Sequence, residues 1–375
     1  MVTLSPRRTT VHKPLKPLKL GSMLWSIFMV CIGFFLHGLI SGFQESSVSH
    51  TNDFLAATMA VEPSRNQPMA GKKHWCVVAA KYLPATTRGH FDHFPHAAEI
   101  VLPCWSFFME QEATDNCGYY FASGTRAFQL SSWPKELIDT MGCEIKYGNG
   151  IEESGFVNDI PKDDVQYIPN LYLLRPRFNY IRYLNHPLHA NALRRLFVSD
   201  DHILSTQGHG KPLQIGMIQR GASRRIDNFD QIKNAIQEAI PDGNIITTDF
   251  TFGTVREQAE WFATKDVIVA AHGAALTNSI FITQGTIVMQ LYPPGYFWES
   301  LDPLIEQSGG YAIQWYQKGK NPMVESASLE KKEFDLAGRA DFSPPVDEVV
   351  RPLVYALGIE RPTNVKLKKL YGAFV

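Results

Sequence analysis

The 375-residue chain lacks most of the short signatures that assign a chemistry at sight. No Gly-x-Gly-x-x-Gly follows a strand, which disfavours a dinucleotide oxidoreductase, and the Gly-His-Gly-Lys at 208–211 lacks Walker spacing and precedes a strand. No Asp-x-Asp occurs, the usual carboxylate element for a divalent ion on a nucleotide diphosphate; Asp163-Asp164 and Asp200-Asp201 are adjacent pairs in loop contexts. The absence of Cys-x-x-Cys speaks against a zinc or thiol-redox motif, and the absence of an Asn-x-Ser/Thr sequon leaves no glycosylation mark of compartment. Net charge is also nearly absent: 36 basic against 37 acidic side chains give −1, too little to favour nucleic acid as a partner. There is no internal repeat or low-complexity segment.

What charge there is lies unevenly. Arg7, Arg8, His12, Lys13, Lys16 and Lys19 precede the first acidic residue, Glu45. Between them, 20–43 is an apolar run broken only by His37, long enough to cross a bilayer as a helix. A cleaved signal peptide would have a shorter apolar core and a small-residue cleavage site, for which 41–43 is a weak match. The expectation is a basic cytoplasmic tail at 1–19, a signal anchor at 20–43 and, by the positive-inside rule, a type II chain with its bulk in the lumen of the Golgi or endoplasmic reticulum. Residues 44–71 read as a polar stem. Of five cysteines, Cys31 lies in the apolar run, leaving Cys76, Cys104, Cys117 and Cys143, an even number that allows two disulfides with pairing left open.

Beyond the stem, 75–80 is the first buried strand. The segment 89–104 carries His93, His96 and Glu99, and a helix opened by Pro95 would put His96 and Glu99 on one face, suited to taking a proton from a hydroxyl. Helix capping competes with that reading. Strands and helices alternate through 118–153, another strand is expected at 166–174 and a short helix at 187–197. Thr206–Pro212 reads as the linker between a first domain, 72–210, and a second, 211–345. From Leu213 the pattern is regular: strands at 213–218, 244–248, 267–271, 286–291 and 311–315 alternate with helices at 229–240, 255–264 and 301–308, the pattern of a doubly wound parallel sheet. A last helix at 346–357 is expected to pack back on the first domain.

Two loops of the second domain stand at the carboxyl ends of strands, where open α/β sheets bind ligands. One, 219–226, carries Arg220, Arg224 and Arg225, guanidinium forks that match phosphate oxygens. The other is His272-Gly273-Ala274-Ala275, whose small residues allow close backbone approach before a short helix with free N–H groups begins. Together they could hold a diphosphate by arginine and backbone, without a metal.

These two loops, with the run REQAEWFATKDVIVAAHGAALTNSIF and GTIVMQLYPPG, resemble glycosyltransferase family 61 over about 213–295. The resemblance implies a GT-B fold, two Rossmann-like domains facing a cleft, and inverting, metal-independent transfer from a nucleotide sugar, a UDP-sugar, to a glycan or glycoprotein hydroxyl. No cofactor is implied. Carried onto this chain it puts Arg220, Arg224 or Arg225, His272, Gly273 and Ala274 against the diphosphate, with Asn278 closing the motif. The family usually has a second glycine where Ala275 stands and an acidic residue where Gln290 stands. The first domain then becomes the acceptor side, with Glu99 as first candidate for the base and His93 or His96 as second. Tyr292, Trp298 and Trp105 are candidates for stacking on sugar or base, against the commoner fate of such aromatics in a core. A catalytically inactive binding protein of the same fold and a secreted enzyme with a cleaved leader are the competing readings.

Overall fold

A computed structural model describes residues 73–79, 94–122, 130–148, 165–167, 183–208, 210–317, 320, 326 and 328–358. The basic tail, the apolar run 20–43, the stem, His93 and the residues after 358 lie outside the described residues. All described residues fall in one compact unit, Ala70–Val375. Among them no helix is long and apolar enough to cross a membrane.

Two parallel sheets organise this unit. The first has the order β3-β2-β1-β4, built from β1 (His74–Ala79), β2 (Cys117–Ala122), β3 (Glu144–Gly148) and β4 (Val165–Tyr167). Between β1 and β2 runs α1 (Phe94–Glu110), and between β2 and β3 runs α2 (Ser132–Thr140). Pro95 stands one residue inside α1, where its missing N–H costs nothing. Cys76 of β1 is bonded to Cys104 of α1, and Cys117 at the start of β2 to Cys143 just before β3. Each bond fastens a strand to the element beside it.

Two helices, α3 (Pro187–Arg195) and α4 (Asp200–Thr206), lead to the second sheet. Its strands are β5 (Gln214–Ile218), β6 (Asn244–Thr248), β7 (Val267–Ala271), β8 (Ile287–Leu291) and β9 (Tyr311–Trp315), in the order β6-β5-β7-β8-β9. The three central strands are buried at every position, as their unbroken apolar runs require of strands covered on both faces. Val267, Ile268 and Val269 are wholly buried and contribute roughly 2 kcal/mol each. Helices α5 (Phe229–Ala239), α6 (Val255–Ala263) and α7 (Asp302–Gln307) cover the sheet. Thr254 and Glu257 close a capping box at the start of α6. After β9 come α8 (Lys331–Ala337) and α9 (Val346–Ala356).

The last helix corrects an expectation. It packs on α5 and buries Val349 and Leu353 in the same cluster as Ile232 and Ile236, so it completes the second sheet's cover instead of returning to the first. The supposed linker is also shorter than expected, because α4 runs to Thr206.

The larger apolar core does not respect the boundary between the sheets. One continuous cluster contains Trp133, Leu137 and Phe197 from the first half and Val255, Phe262, Ile280 and Phe281 from the second. Polar contacts cross as well. Glu136 of α2 accepts from Val255 N–H at 2.9 Å, satisfying a free donor of the first turn of α6, and Arg256 donates to the Phe197 carbonyl.

Candidate functional site

The order of the second sheet fixes where a ligand can enter. The chain leaves β5 towards β6 on one side and leaves β7 towards β8 on the other, so the loops after these two paired strands turn apart at their carboxyl ends, the place where open α/β sheets form a crevice. The loop after β5 begins at Gln219 and the loop after β7 at His272.

The first loop is clamped into shape. The Gln219 side chain pairs with the Ile226 backbone, accepting from its N–H at 3.2 Å and donating to its carbonyl at 2.8 Å. Phe342 N–H donates to the Arg225 carbonyl at 3.0 Å and Asp227 N–H to the Phe342 carbonyl at 2.9 Å, which ties the loop to the segment before α9. Within this frame Arg224 takes φ 55°, in the left-handed region that side chains other than glycine rarely occupy. Strain of that kind persists where surrounding contacts over-determine it.

The three arginines go to two different places. Arg220 is part-buried; its Nε donates to the Ser223 carbonyl at 2.9 Å and its Nη1 lies against Gly273. Burial, and the like charge of Arg224, lower its pKa to about 10. Arg224 lies with its guanidinium over the Tyr296 ring, 5.1 Å from the centroid, and its buried Nε has no hydrogen-bond partner. Arg225 is half exposed and turned to carboxylates, 3.1 Å from Asp227 and 3.4 Å from Asp341. Only Arg220 and Arg224 therefore meet the His272 loop.

Gly273 has an extended backbone that any residue could adopt; its requirement is space for Arg220. The 3-10 helix Ala274–Phe281 follows, and its first helical bond runs from Leu276 N–H to the Gly273 carbonyl, so the N–H groups of Ala274 and Ala275 precede it at the crevice edge. His272 is buried. Its Nδ1 lies 2.9 Å from Gln290 Oε1, and its ring stacks on Tyr292 at 4.7 Å and meets Tyr296 at 5.9 Å. Burial lowers its pKa to about 3, and Arg224 and Arg220 add to that, against the bond to Gln290, so the ring is neutral at pH 7.

Other candidates have structural duties. Asn278 is wholly buried; its Oδ1 accepts from Trp133 Nε1 at 3.2 Å and its Nδ2 donates to the Ala275 carbonyl, so it fastens the turn to α2 and presents no face to a ligand. Trp105 is a core residue of the first half whose Nε1 donates to the His189 carbonyl at 2.9 Å. Tyr292 is wholly buried against His272. Trp298 alone of the three stacking candidates is open to solvent, 47% exposed beside Phe334. His96 and Glu99 share a face at the start of α1, with Nδ1 and Oε2 3.6 Å apart, and Glu99 is nearly buried. That helix packs on the 3-10 turn after His272, which places the pair on the element bordering the motif from the first half.

Two residues of the site carried no signal in the sequence. Tyr296 forms the platform under Arg224, and Asp302 holds Gln290 through the amide nitrogen.

Two parallel sheets, with two arginines beside the His272 turn at a strand switch point, define an α/β protein of Rossmann-like architecture. The chain belongs to glycosyltransferase family 61, a family of sugar-transferring enzymes: the model of that family, described as Glycosyltransferase 61, matches residues 52–289. The match extends well before Leu213 and takes in the first sheet. The chain is also similar to the EGF domain-specific O-linked N-acetylglucosamine transferase of Xenopus laevis, 27% identical over 135 residues, which cover 32% of this chain and 25% of that protein. The similarity thus spans about a quarter of that relative's length.

Proposed function

We propose that the protein is an inverting, metal-independent glycosyltransferase of GT-B type that moves a sugar from a UDP-sugar to a hydroxyl of a glycan or glycoprotein. The observation carrying this reading is the convergence of Arg220 and Arg224, the latter with an unpartnered buried Nε, on the small-residue turn at the β5/β7 switch point. A leaving diphosphate develops charge there, and guanidinium groups already held in place stabilise it with little reorganisation. Across the cleft Glu99, with His96 as its neighbour, takes the acceptor proton while the acceptor oxygen attacks the anomeric carbon and the bond to the diphosphate breaks, inverting the centre. The printed name of the Xenopus relative describes transfer to an oxygen of an EGF domain, an acceptor of the same chemical class. The apolar run 20–43 and the two disulfides support a type II Golgi protein with its sheets in the lumen, since such bonds persist in oxidising compartments.

The test is thermal stabilisation of the full-length chain in detergent by a panel of nucleoside diphosphates and nucleotide sugars in EDTA. A ligand at a hundred times its Kd adds about 2.7 kcal/mol to the native state. Stabilisation by one nucleoside diphosphate, lost in Arg220→Ala and Arg224→Ala and kept in Arg225→Ala, is the expected result. No shift with any nucleotide from folded protein would sink the reading.

A further inference from the structure

Arg220 and Arg224 bring only N–H donors to the crevice. His272 differs, and its surroundings determine how. Gln290 lies between His272 and Asp302: its Oε1 is 2.9 Å from His272 Nδ1 and its Nε2 donates to a carboxylate oxygen of Asp302. The other Asp302 oxygen accepts from Gln314 Nε2. A carboxylate only accepts, so the Gln290 amide must turn its NH2 to Asp302 and its carbonyl to the imidazole. A carbonyl only accepts as well. Nδ1 must therefore carry the proton of the ring, and Nε2 must carry the lone pair. The Tyr292 hydroxyl, 3.4 Å from the same Oε1 and 3.2 Å from the Trp298 carbonyl, leaves that polarity unchanged. Among the described residues Nε2 makes no hydrogen bond. The charged and titratable groups around the ring are Arg220 and Arg224 from the loop after β5, and Tyr292 and Tyr296 from the segment after β8.

We infer that Gln290, held by Asp302, is a positioning residue that fixes the lone pair of His272 on Nε2, so that a ligand group reaching that nitrogen from the crevice must be a donor, a hydroxyl or imide N–H of the nucleoside and not a phosphate oxygen. A phosphate oxygen brings lone pairs of its own and is left to the two arginines. The identity of the ligand rests on the transferase reading; the tautomer does not.

Two measurements on the full-length chain test this. With 15N-labelled histidine, the His272 resonances, assigned by their loss in His272→Phe, should show a protonated Nδ1 and an unprotonated Nε2 at pH 7. The double variant Gln290→Glu/Asp302→Asn moves the carboxylate next to the ring without changing net charge and should raise the pKa of His272 by roughly 2 units, which checks that position 290 faces Nδ1, while the tautomer signal itself separates positioning from a merely structural role. In titration calorimetry, Arg220→Ala should weaken UDP, GDP and inorganic pyrophosphate alike, each by about 10-fold, whereas His272→Phe should weaken the nucleotides by about 10-fold and leave pyrophosphate within about 2-fold. If His272→Phe does not fold, Gln290→Met, which removes the carbonyl, should mix the two tautomers and weaken nucleotides selectively. An unprotonated Nδ1, or equal losses for nucleotide and pyrophosphate, overturns the inference. If folded wild type binds none of the probes, the transferase reading fails and the ligand assignment with it, while the spectra still decide the tautomer.

Discussion

Arg220 occupies the space that a side chain on Gly273 would need: a methyl group there would come within 1.9 Å of Arg220 Nη1. The two loops are thus fitted to each other across the crevice, and the fit can be broken without touching either charge. Gly273→Ala should leave the fold intact, because the extended backbone suits any residue, and should lower nucleoside diphosphate affinity by about 10-fold or more as the guanidinium is displaced. Calorimetric titration beside a melting curve separates the two effects.

The buried imidazole makes stability depend on acid. Its folded pKa of about 3 lies below the ordinary histidine value, so between about pH 3 and 6.5 the unfolded chain binds a proton that the folded chain does not. Stability from this group is fully present above pH 6.5 and is lost as pH falls. Unfolding free energy measured at pH 4 and at pH 6.5 should differ by roughly 3 kcal/mol more in wild type than in His272→Phe.

Lys265, at the opposite end of β7, is 3% exposed, with its Nζ 2.8 Å from Thr264 Oγ1 and 5.1 Å from the Trp261 ring centroid. Burial lowers its pKa to about 8, so the charged form is held at a cost that diminishes as pH rises from 8 towards the unfolded value. Lys265→Met should stabilise the protein at pH 7 by roughly 1–3 kcal/mol, with the gain shrinking at pH 9–10. Denaturant midpoints at the two pH values check the sign.

Each disulfide closes a short loop, with sequence separations of 28 and 26. In the chain-entropy account each contributes roughly 3–4 kcal/mol. Reduction should therefore lower the melting temperature by well over 10 °C for a unit of this size, and Cys117→Ser/Cys143→Ser should reproduce about half of the loss.

The second sheet was legible because its strands advertise themselves. Val267–Ala271 is apolar at every position, and a run so short, stopped by His272-Gly273, reads as a strand covered on both faces. Helices α4 and α8 were not legible: the first buries only Ile203 and the second buries no residue, so neither shows an apolar stripe. The site was half legible. Sequence marks the arginine loop and the His-Gly turn, but Arg224 and Arg225 are neighbours of one type, and what separates them is a pair of carboxylates, Asp227 close by and Asp341 more than a hundred residues away. Tyr292 follows a strand in a proline-rich loop and reads as a candidate for stacking on sugar or base, yet it is sealed against His272. Contacts of that kind depend on tertiary placement, which no local pattern encodes.

The larger core, shared by both sheets, also limits how the molecule can move. Opening the two halves as separate bodies would expose Trp133, Leu137, Phe197, Ile280 and Phe281 together and break the Trp133–Asn278 bond. At roughly 2 kcal/mol for each buried apolar side chain, that excursion approaches the whole stability of a domain. The placement of the two halves about the crevice is therefore set when the chain folds.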